Sequence, residues 1–296
     1  MSGDVAVVAF VGLGRMGRPM TARLVAVGHE VRGFDLDPEA AVDGVERCAS
    51  AREAARGADA AITMLPSPDA VRLATLGPDG LAEGLAAGSL CIDMSTAPPA
   101  LARELAAALA AHAIDALDAP VSGGTTGAEA GTLTIMVGGS EAAAERARSL
   151  FEALGTLIVH VGDHGLGQAA KLCNNLCAGV TMAAIAQALA LARREGLEPQ
   201  VLYELMSSST GDSRVLRMRF PAPVNDATPA AHGFAPMFTV DLMEKDLALA
   251  EQLAADHGVE AEPLAAALAL YRRAQDEGYG SLDYSAIALT TGAAQQ

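Results

Sequence analysis

The stretch GLGRMG at 12 to 17 follows an apolar run, VAVVAF, and precedes MGRPMTARLVAVG, which has the length and spacing of a helix. Gly12, Gly14 and Gly17 stand in G-x-G-x-x-G spacing, a triplet that is common by itself. Here it closes a strand, opens a helix, and is followed by Asp35 in GFDLD at the end of the next apolar run. The first glycine permits the tight turn, the second lets the backbone approach a pyrophosphate, and the third lets helix and strand pack closely. The helix N-terminus then offers unpaired N–H groups to a diphosphate. Gly12, Leu13, Gly14, Arg15, Met16 and Gly17 are therefore expected to bind a dinucleotide. Asp35 is expected to take its ribose hydroxyls and to repel a 2′-phosphate, and Arg32, inside the strand, is expected in solvent, so NAD is expected rather than NADP.

Up to about residue 160, further runs of buried-strand type alternate with Ala-rich helical stretches: EVRGFD, AAITML, SLCIDM, AIDALDAP, LTIMVGG and TLIVHV. That alternation predicts an α/β, doubly wound sheet, parallel at least in its first half. After residue 165 the pattern is helical, roughly over 166–195, 199–208, 240–257 and 261–277, with FPAPVNDATPAAHGFAP as an irregular connection. The glycines of VGDHGLG mark the boundary, giving a dinucleotide-binding domain over 1–164 and an all-helical domain over 165–296. At 296 residues the chain exceeds the usual size of a single core, as two domains require.

Charge excludes some partners. A formal net charge of −16 opposes binding to phosphate backbones or anionic membrane surfaces, so neither nucleic acid nor membrane is an expected partner. LCAGVTMAAIAQALALA, 176–192, carries no charge and approaches the length of a membrane span, but Thr181 and Gln187 interrupt it, and it reads as a helix buried on most sides by protein. The N-terminus lacks the basic start of a signal peptide, so the cytoplasm is the expected location. Cys48, Cys91, Cys173 and Cys177 form no C-x-x-C pair and are expected as buried thiols. His160 and His164 have a glycine between them and no Cys nearby, so no metal is expected.

Of 20 basic residues only two are lysines, Lys171 and Lys245. Arginine stays protonated throughout biology, whereas a lysine can be tuned to give and take a proton. Lys171 lies near the start of the long helix, with Asn175 four residues on and so on the same face. An ammonium on a mostly buried helix is costly without a partner or a purpose. Lys245, in EKDLALA, opens another helix, where the bland alternative is a surface ion pair with Asp241. The strand ending in DAP delivers VSGG into a loop at the sheet's carboxyl edge, where Ser122, Gly123 and Gly124 can present N–H groups and a hydroxyl to a carboxylate.

FVGLGRMGRPM, DAPVSGG, GDHGLGQAAKLCNN and EKDLALA together, in this order and spacing, resemble the β-hydroxyacid dehydrogenase family nearly end to end. The resemblance implies an N-terminal Rossmann domain, a long interdomain helix and an all-helical C-terminal domain, assembled as homodimers or homotetramers. It implies NAD-dependent hydride transfer to and from a short β-hydroxyacid such as 3-hydroxyisobutyrate. It places the catalytic lysine on Lys171, the carboxylate loop on Ser122, Gly123 and Gly124, and the orienting asparagine on Asn175. The nicotinamide-side lysine falls on Lys245 and further cofactor contacts on Leu65, Pro66 and Thr96. As the hydroxyl carbon gives up hydride, the hydroxyl must lose a proton, and Lys171 is the expected base. Burial and the positive nicotinamide are expected to bring its pKa down from the usual ~10.4.

The substrate side is less specific. Residues 207–224 bring Arg214, Arg217 and Arg219, read as a helix's solvated face or, if one enters a cleft, as a partner for a second acidic group. Phe238 is a candidate for lining the substrate pocket. Alternative activities are tartronate semialdehyde, succinic semialdehyde or glyoxylate reduction. Imine reduction is a further alternative that Lys171 opposes, and a non-catalytic dinucleotide-binding module one that Lys171, Asn175 and the SGG loop together oppose.

Overall fold

The computed structural model describes residues 6–293. The first five residues, on which the expectation about the N-terminus rests, lie outside the described residues. The chain divides into two compact units, Met1–Lys171 and Leu172–Gln296.

The first unit is built on one sheet. Its strands are β1 (Val7–Val11), β2 (Glu30–Phe34), β3 (Val45–Arg47), β4 (Ala60–Thr63), β5 (Leu90–Asp93), β6 (Asp115–Asp118), β7 (Val121–Ser122), β8 (Leu133–Gly138) and β9 (Gly155–Gly162). Their order is β3-β2-β1-β4-β5-β6-β8-β7, with β9 beside β8. All neighbours from β3 to β6 are parallel; β8 runs antiparallel to β6 and β7 and parallel to β9. Order 3-2-1-4-5-6 is that of a dinucleotide-binding doubly wound sheet, in which ligands bind beyond the carboxyl ends of the strands. Helices α1 (Gly17–Ala26), α2 (Ala51–Ala55), α3 (Pro68–Leu76), α4 (Pro99–Ala110), α5 (Gly124–Ala130), α6 (Glu141–Arg146) and α7 (Arg148–Leu154) connect the strands.

Both sheet faces are apolar because both are covered. Along β1, Val8 and Phe10 belong to one buried cluster and Ala9 and Val11 to another. In β5, Leu90 and Ile92 face the first and Cys91 the second. This is why the strands read as unbroken apolar runs instead of alternating ones. Truncating the fully buried Phe10 to Ala would cost about 3–5 kcal/mol.

Helix α8 (Leu166–Arg194) begins in the first unit and runs into the second. The second unit continues with α9 (Pro199–Ser207), α10 (Arg214–Arg219), α11 (Val240–Asp256), α12 (Glu262–Asp276) and α13 (Ile287–Thr290). Its core gathers Leu172, Met182, Ile185 and Leu189 of α8 with Met243 and Leu247 of α11 and Leu268 and Tyr271 of α12.

Two expectations need correction. VSGG is not a plain loop: Val121 and Ser122 pair with Ile135 and Thr134, and Gly124 opens α5. Helix α8 is long and apolar enough to cross a membrane, and over 176–192 most of its positions are buried or half-buried, with Cys177, Ala184, Gln187 and Leu191 exposed. Cys173 and Cys177 lie on its open face and are exposed, while Cys48 and Cys91 are buried as expected. With 3.6 residues per turn, one face of a helix can serve a core while the other stays open.

Candidate active site

The sheet brings the expected cofactor residues of the first unit to the carboxyl ends of its parallel strands. The loop Gly12–Gly17 leaves β1, Asp35 follows β2, Leu65 and Pro66 follow β4, and Thr96 follows β5. Gly12 adopts φ 101° and donates its N–H to the Phe34 carbonyl at 2.9 Å. A Cβ on Gly17 would strike the Gly12 carbonyl, so helix α1 can start this close to the loop only with glycine there. The N-terminus of α1 has no capping side chain and no acid in its first turn, and the exposed Gly14 has no neighbour within 4 Å of where a Cβ would stand. Orphan N–H groups beside an open, side-chain-free backbone fit a diphosphate.

Asp35 is half-buried. Its Oδ2 accepts the Leu13 N–H at 2.7 Å and its Oδ1 accepts that of Asp37 at 2.8 Å, which fixes the carboxylate next to the glycine loop. Arg32 is engaged elsewhere: it pairs with Glu30 at 2.6 Å and donates to the Arg56 carbonyl. The Leu65 N–H donates to Ser95 Oγ at 2.9 Å, tying the loop after β4 to the one after β5.

Beneath this edge lies a polar layer that the sequence reading misses. Asp93 Oδ1 accepts Thr63 Oγ1 at 2.8 Å and the Ser95 N–H at 3.0 Å. Gln168, in the first turn of α8, accepts the Ala97 N–H at 2.9 Å and donates through Nε2 to the Ser95 carbonyl at 2.9 Å and to Asp93 Oδ2 at 3.4 Å. Asp118 accepts the N–H groups of Gly165 (2.8 Å) and Gln168 (2.9 Å). Burial pushes the Asp93 carboxyl up to about 6 and raises that of Asp118, with their hydrogen bonds opposing the shift. Lys171, one turn beyond Gln168, is 6% exposed.

Ser122 and Gly124 are half-buried and Gly123 is exposed; Gly123 and Gly124 have φ of 139° and 64°. His160 and His164 each meet a separate backbone carbonyl, Gly139 at 2.8 Å and Ala116 at 3.0 Å. Among the described residues no cluster of His, Cys, Asp and Glu could hold a metal.

In the helical unit Asn175, 5% exposed, donates through Nδ2 to Asp246 Oδ2 at 2.6 Å. Asp246 is 1% exposed, and Lys245 Nζ stands 3.0 Å from its Oδ1. Lys245 therefore pairs with its sequence neighbour, while Asp241, the partner the bland reading supplied, accepts Gln275 Nε2 at 2.8 Å. Asp246 is absent from the sequence reading, although it stands inside EKDLALA. Arg217 pairs in solvent with Asp212 at 2.7 Å and Arg214 is exposed, but Arg219 is not on a solvated face. Its side chain is 12% exposed, pairs with Asp283 at 3.3 Å and covers the Tyr284 ring at 4.7 Å. Asp283 also accepts the N–H groups of Met237 and Phe238, and the Phe238 ring meets Tyr284 edge-on at 6.2 Å.

Residues 7–162 match the family described as the NAD binding domain of 6-phosphogluconate dehydrogenase, and residues 165–290 that described as the NAD-binding domain of NADP-dependent 3-hydroxyisobutyrate dehydrogenase. A 3-hydroxyisobutyrate dehydrogenase of Pseudomonas aeruginosa is 46% identical, over 95% of this chain and 96% of its own. The chain belongs to the 3-hydroxyisobutyrate dehydrogenase family. It is an NAD-dependent oxidoreductase of the kind that acts on CH–OH groups. Another relative, an NAD-dependent L-serine dehydrogenase of the same bacterium, is 44% identical over 95% of this chain and 96% of its own. A structure of the Mycobacterium tuberculosis 3-hydroxyisobutyrate dehydrogenase with L-serine superposes with a TM-score of 0.90 at 41% identity, covering 97% of this chain and 99% of that one.

Proposed function

We propose that this enzyme interconverts a short β-hydroxyacid, of the 3-hydroxyisobutyrate or serine type, and its semialdehyde, with Lys171 as general acid and base. The observation that carries this reading is an ammonium buried to 6% exposure on α8, in a chain with only one other lysine. Bound NAD supplies the acceptor for hydride. With NAD bound, Gly12–Gly17 would hold its diphosphate and Asp35 its ribose, Leu65, Pro66 and Thr96 would contribute further contacts, and Lys245 would serve the nicotinamide. Ser122, Gly123 and Gly124 bind the substrate carboxylate through N–H groups and a hydroxyl.

Lys171 Nζ, in its neutral form, takes the proton of the substrate hydroxyl as the carbon is oxidised, and returns it in reduction. Asn175 orients the substrate oxygen. Its amide carries two N–H groups, one of them given to Asp246, so the carboxylate fixes the amide while the other N–H stays available. Phe238, whose backbone N–H is held by Asp283, is a further substrate-binding residue.

The dinucleotide-binding domain extends over 1–164 and the substrate and oligomerisation domain over 165–296. A homodimer or homotetramer in the cytoplasm fits the open face of α8, where Cys173, Cys177 and Leu191 are exposed. The test is NADH formation from NAD over 3-hydroxyisobutyrate, 3-hydroxypropionate, serine, glycerate and 4-hydroxybutyrate. Preference for a β-hydroxyacid supports the reading; 4-hydroxybutyrate alone being oxidised would move it to the semialdehyde-reductase branch, and no turnover with NAD bound would refute it.

A further inference from the structure

Helix α8 starts without a cap of its own: no acid stands in its first turn, and Gly165 precedes its first residue. The side chain that serves its N–H groups comes from elsewhere in the sequence. Asp118, the last residue of β6, accepts the Gly165 N–H through Oδ1 at 2.8 Å and the Gln168 N–H through Oδ2 at 2.9 Å, across about fifty positions of chain. A side-chain oxygen on the first free N–H groups of a helix is what an N-cap provides, here supplied from a strand. Gln168 adds a second hold, since its amide reaches the Ala97 N–H and the Ser95 carbonyl, both just beyond β5.

A third feature points to the same seat. A Cβ built on Gly167 would stand 2.5 Å from the carbonyl oxygens of Asp118 and Met136, on β6 and β8. A Cβ on Gly138 would stand 2.6 Å from Asp118 Oδ1. The first turn of α8 therefore rests directly on strand backbone, with room for no side-chain atom between. Lys171 lies one helical turn past Gln168, and over a single turn a helix transmits the placement of its start with little slack.

We infer that Asp118, Gly167 and Gln168 are positioning residues for Lys171: they seat the first turn of α8 on the ends of β5, β6 and β8 and so set where the ammonium stands. The inference rests on the reading of Lys171 as the group that exchanges the proton. A cap with a purely structural role would contribute to stability and leave the chemical step alone. A positioning cap makes kcat depend on it, because an error of about 1 Å in a reacting group can cost ~100-fold in rate.

The test uses the full chain with two variants. Gly167→Ala keeps every polar partner and lifts the turn off the sheet; Asp118→Asn keeps the shape and removes the charged acceptor. Both are compared with Lys171→Arg for turnover of the preferred hydroxyacid, NAD affinity by fluorescence titration, and the solvent deuterium isotope effect on kcat. The expected result is a fall in kcat of up to ~100-fold in both cap variants, with KM and NAD affinity close to the parent's. The isotope effect should grow as proton transfer becomes limiting. Parent-like kcat in both cap variants beside an inactive Lys171→Arg would overturn the positioning role alone. Turnover retained in Lys171→Arg would remove the acid–base reading and this inference with it. Failure of both cap variants to fold would show the cap to be structural and overturn the inference.

Discussion

Asn175 and Asp246, seventy-one positions apart in sequence, meet at 2.6 Å inside the helical unit. Lys245 holds the carboxylate's other oxygen at 3.0 Å. An amide of α8 and an ammonium of α11 thus share one carboxylate that water scarcely reaches.

Asp246→Ala leaves both partners facing a void. We expect a loss of about 2–3 kcal/mol in unfolding free energy, at the lower side for a broken buried pair because Lys245 keeps about a quarter of its side chain in solvent. Asp246→Asn should lose less, having one acceptor left. Urea denaturation of the three proteins decides it; an unchanged midpoint in the alanine variant would contradict a structural role for the carboxylate.

Lys171→Arg keeps a positive charge on α8 but cannot exchange a proton at any ordinary pH. Turnover is expected to fall by about a thousandfold, within the usual contribution of a general acid or base, while NAD binding is retained. Absorbance of NADH against time measures the first and fluorescence titration the second. Near-normal turnover would reduce the lysine to a mere charge.

Asp93 gives a pH dependence with a definite sign. Its folded pKa, about 6, lies above the ordinary 3.8 because burial penalises the anion, so the fold favours the protonated form. The stabilisation from this group is complete below about pH 4 and is lost as pH rises through about 6. Asp93→Asn has no such proton to lose. The stability of the variant relative to the parent should therefore improve by up to roughly 2–3 kcal/mol between about pH 4 and pH 8, measured by urea denaturation at each pH. A constant difference across that range would show the carboxyl to titrate normally.

Thiol labelling separates the two pairs of cysteines. Cys91 is buried and its thiol is pushed up to about 12 by that burial, and Cys48 is raised for the same reason. Neither should react with a disulfide reagent before unfolding. Cys173 and Cys177 are exposed on one chain and should react in dilute protein. If a second copy covers α8, their labelling slows as protein concentration rises; a rate independent of concentration would argue against that face as the interface.

The glycine loop, Asp35 and the parallel strands β1, β2, β4, β5 and β6 were legible because each depends on local spacing: a turn that needs glycine, an acid at a strand end, apolar runs of strand length. Strands β3 and β7 were not, since three and two residues carry no period to read. Cys173 and Cys177 were assigned to a core because a helix of uniformly small apolar residues does not announce which face is packed. Asp246 escaped notice because an acid between a lysine and a leucine looks like any solvated helix face; its partner Asn175 is distant in sequence. The two alternatives for Arg219 stay open in the sequence because its burial depends on Asp283, sixty-four positions away.

The seat of α8 also bears on how this enzyme could be cut and recombined. The two family matches leave a junction at 163–164, which invites an exchange of halves between relatives at that point. The compact first unit nevertheless extends to Lys171, because Gly165 and Gln168 are bonded to Asp118. A chimera joined at the junction would pair one parent's strand ends with another parent's helix start. Joined after Lys171, it would inherit lysine, cap and sheet edge as a single heritable module, leaving the rest of the helical half free to vary.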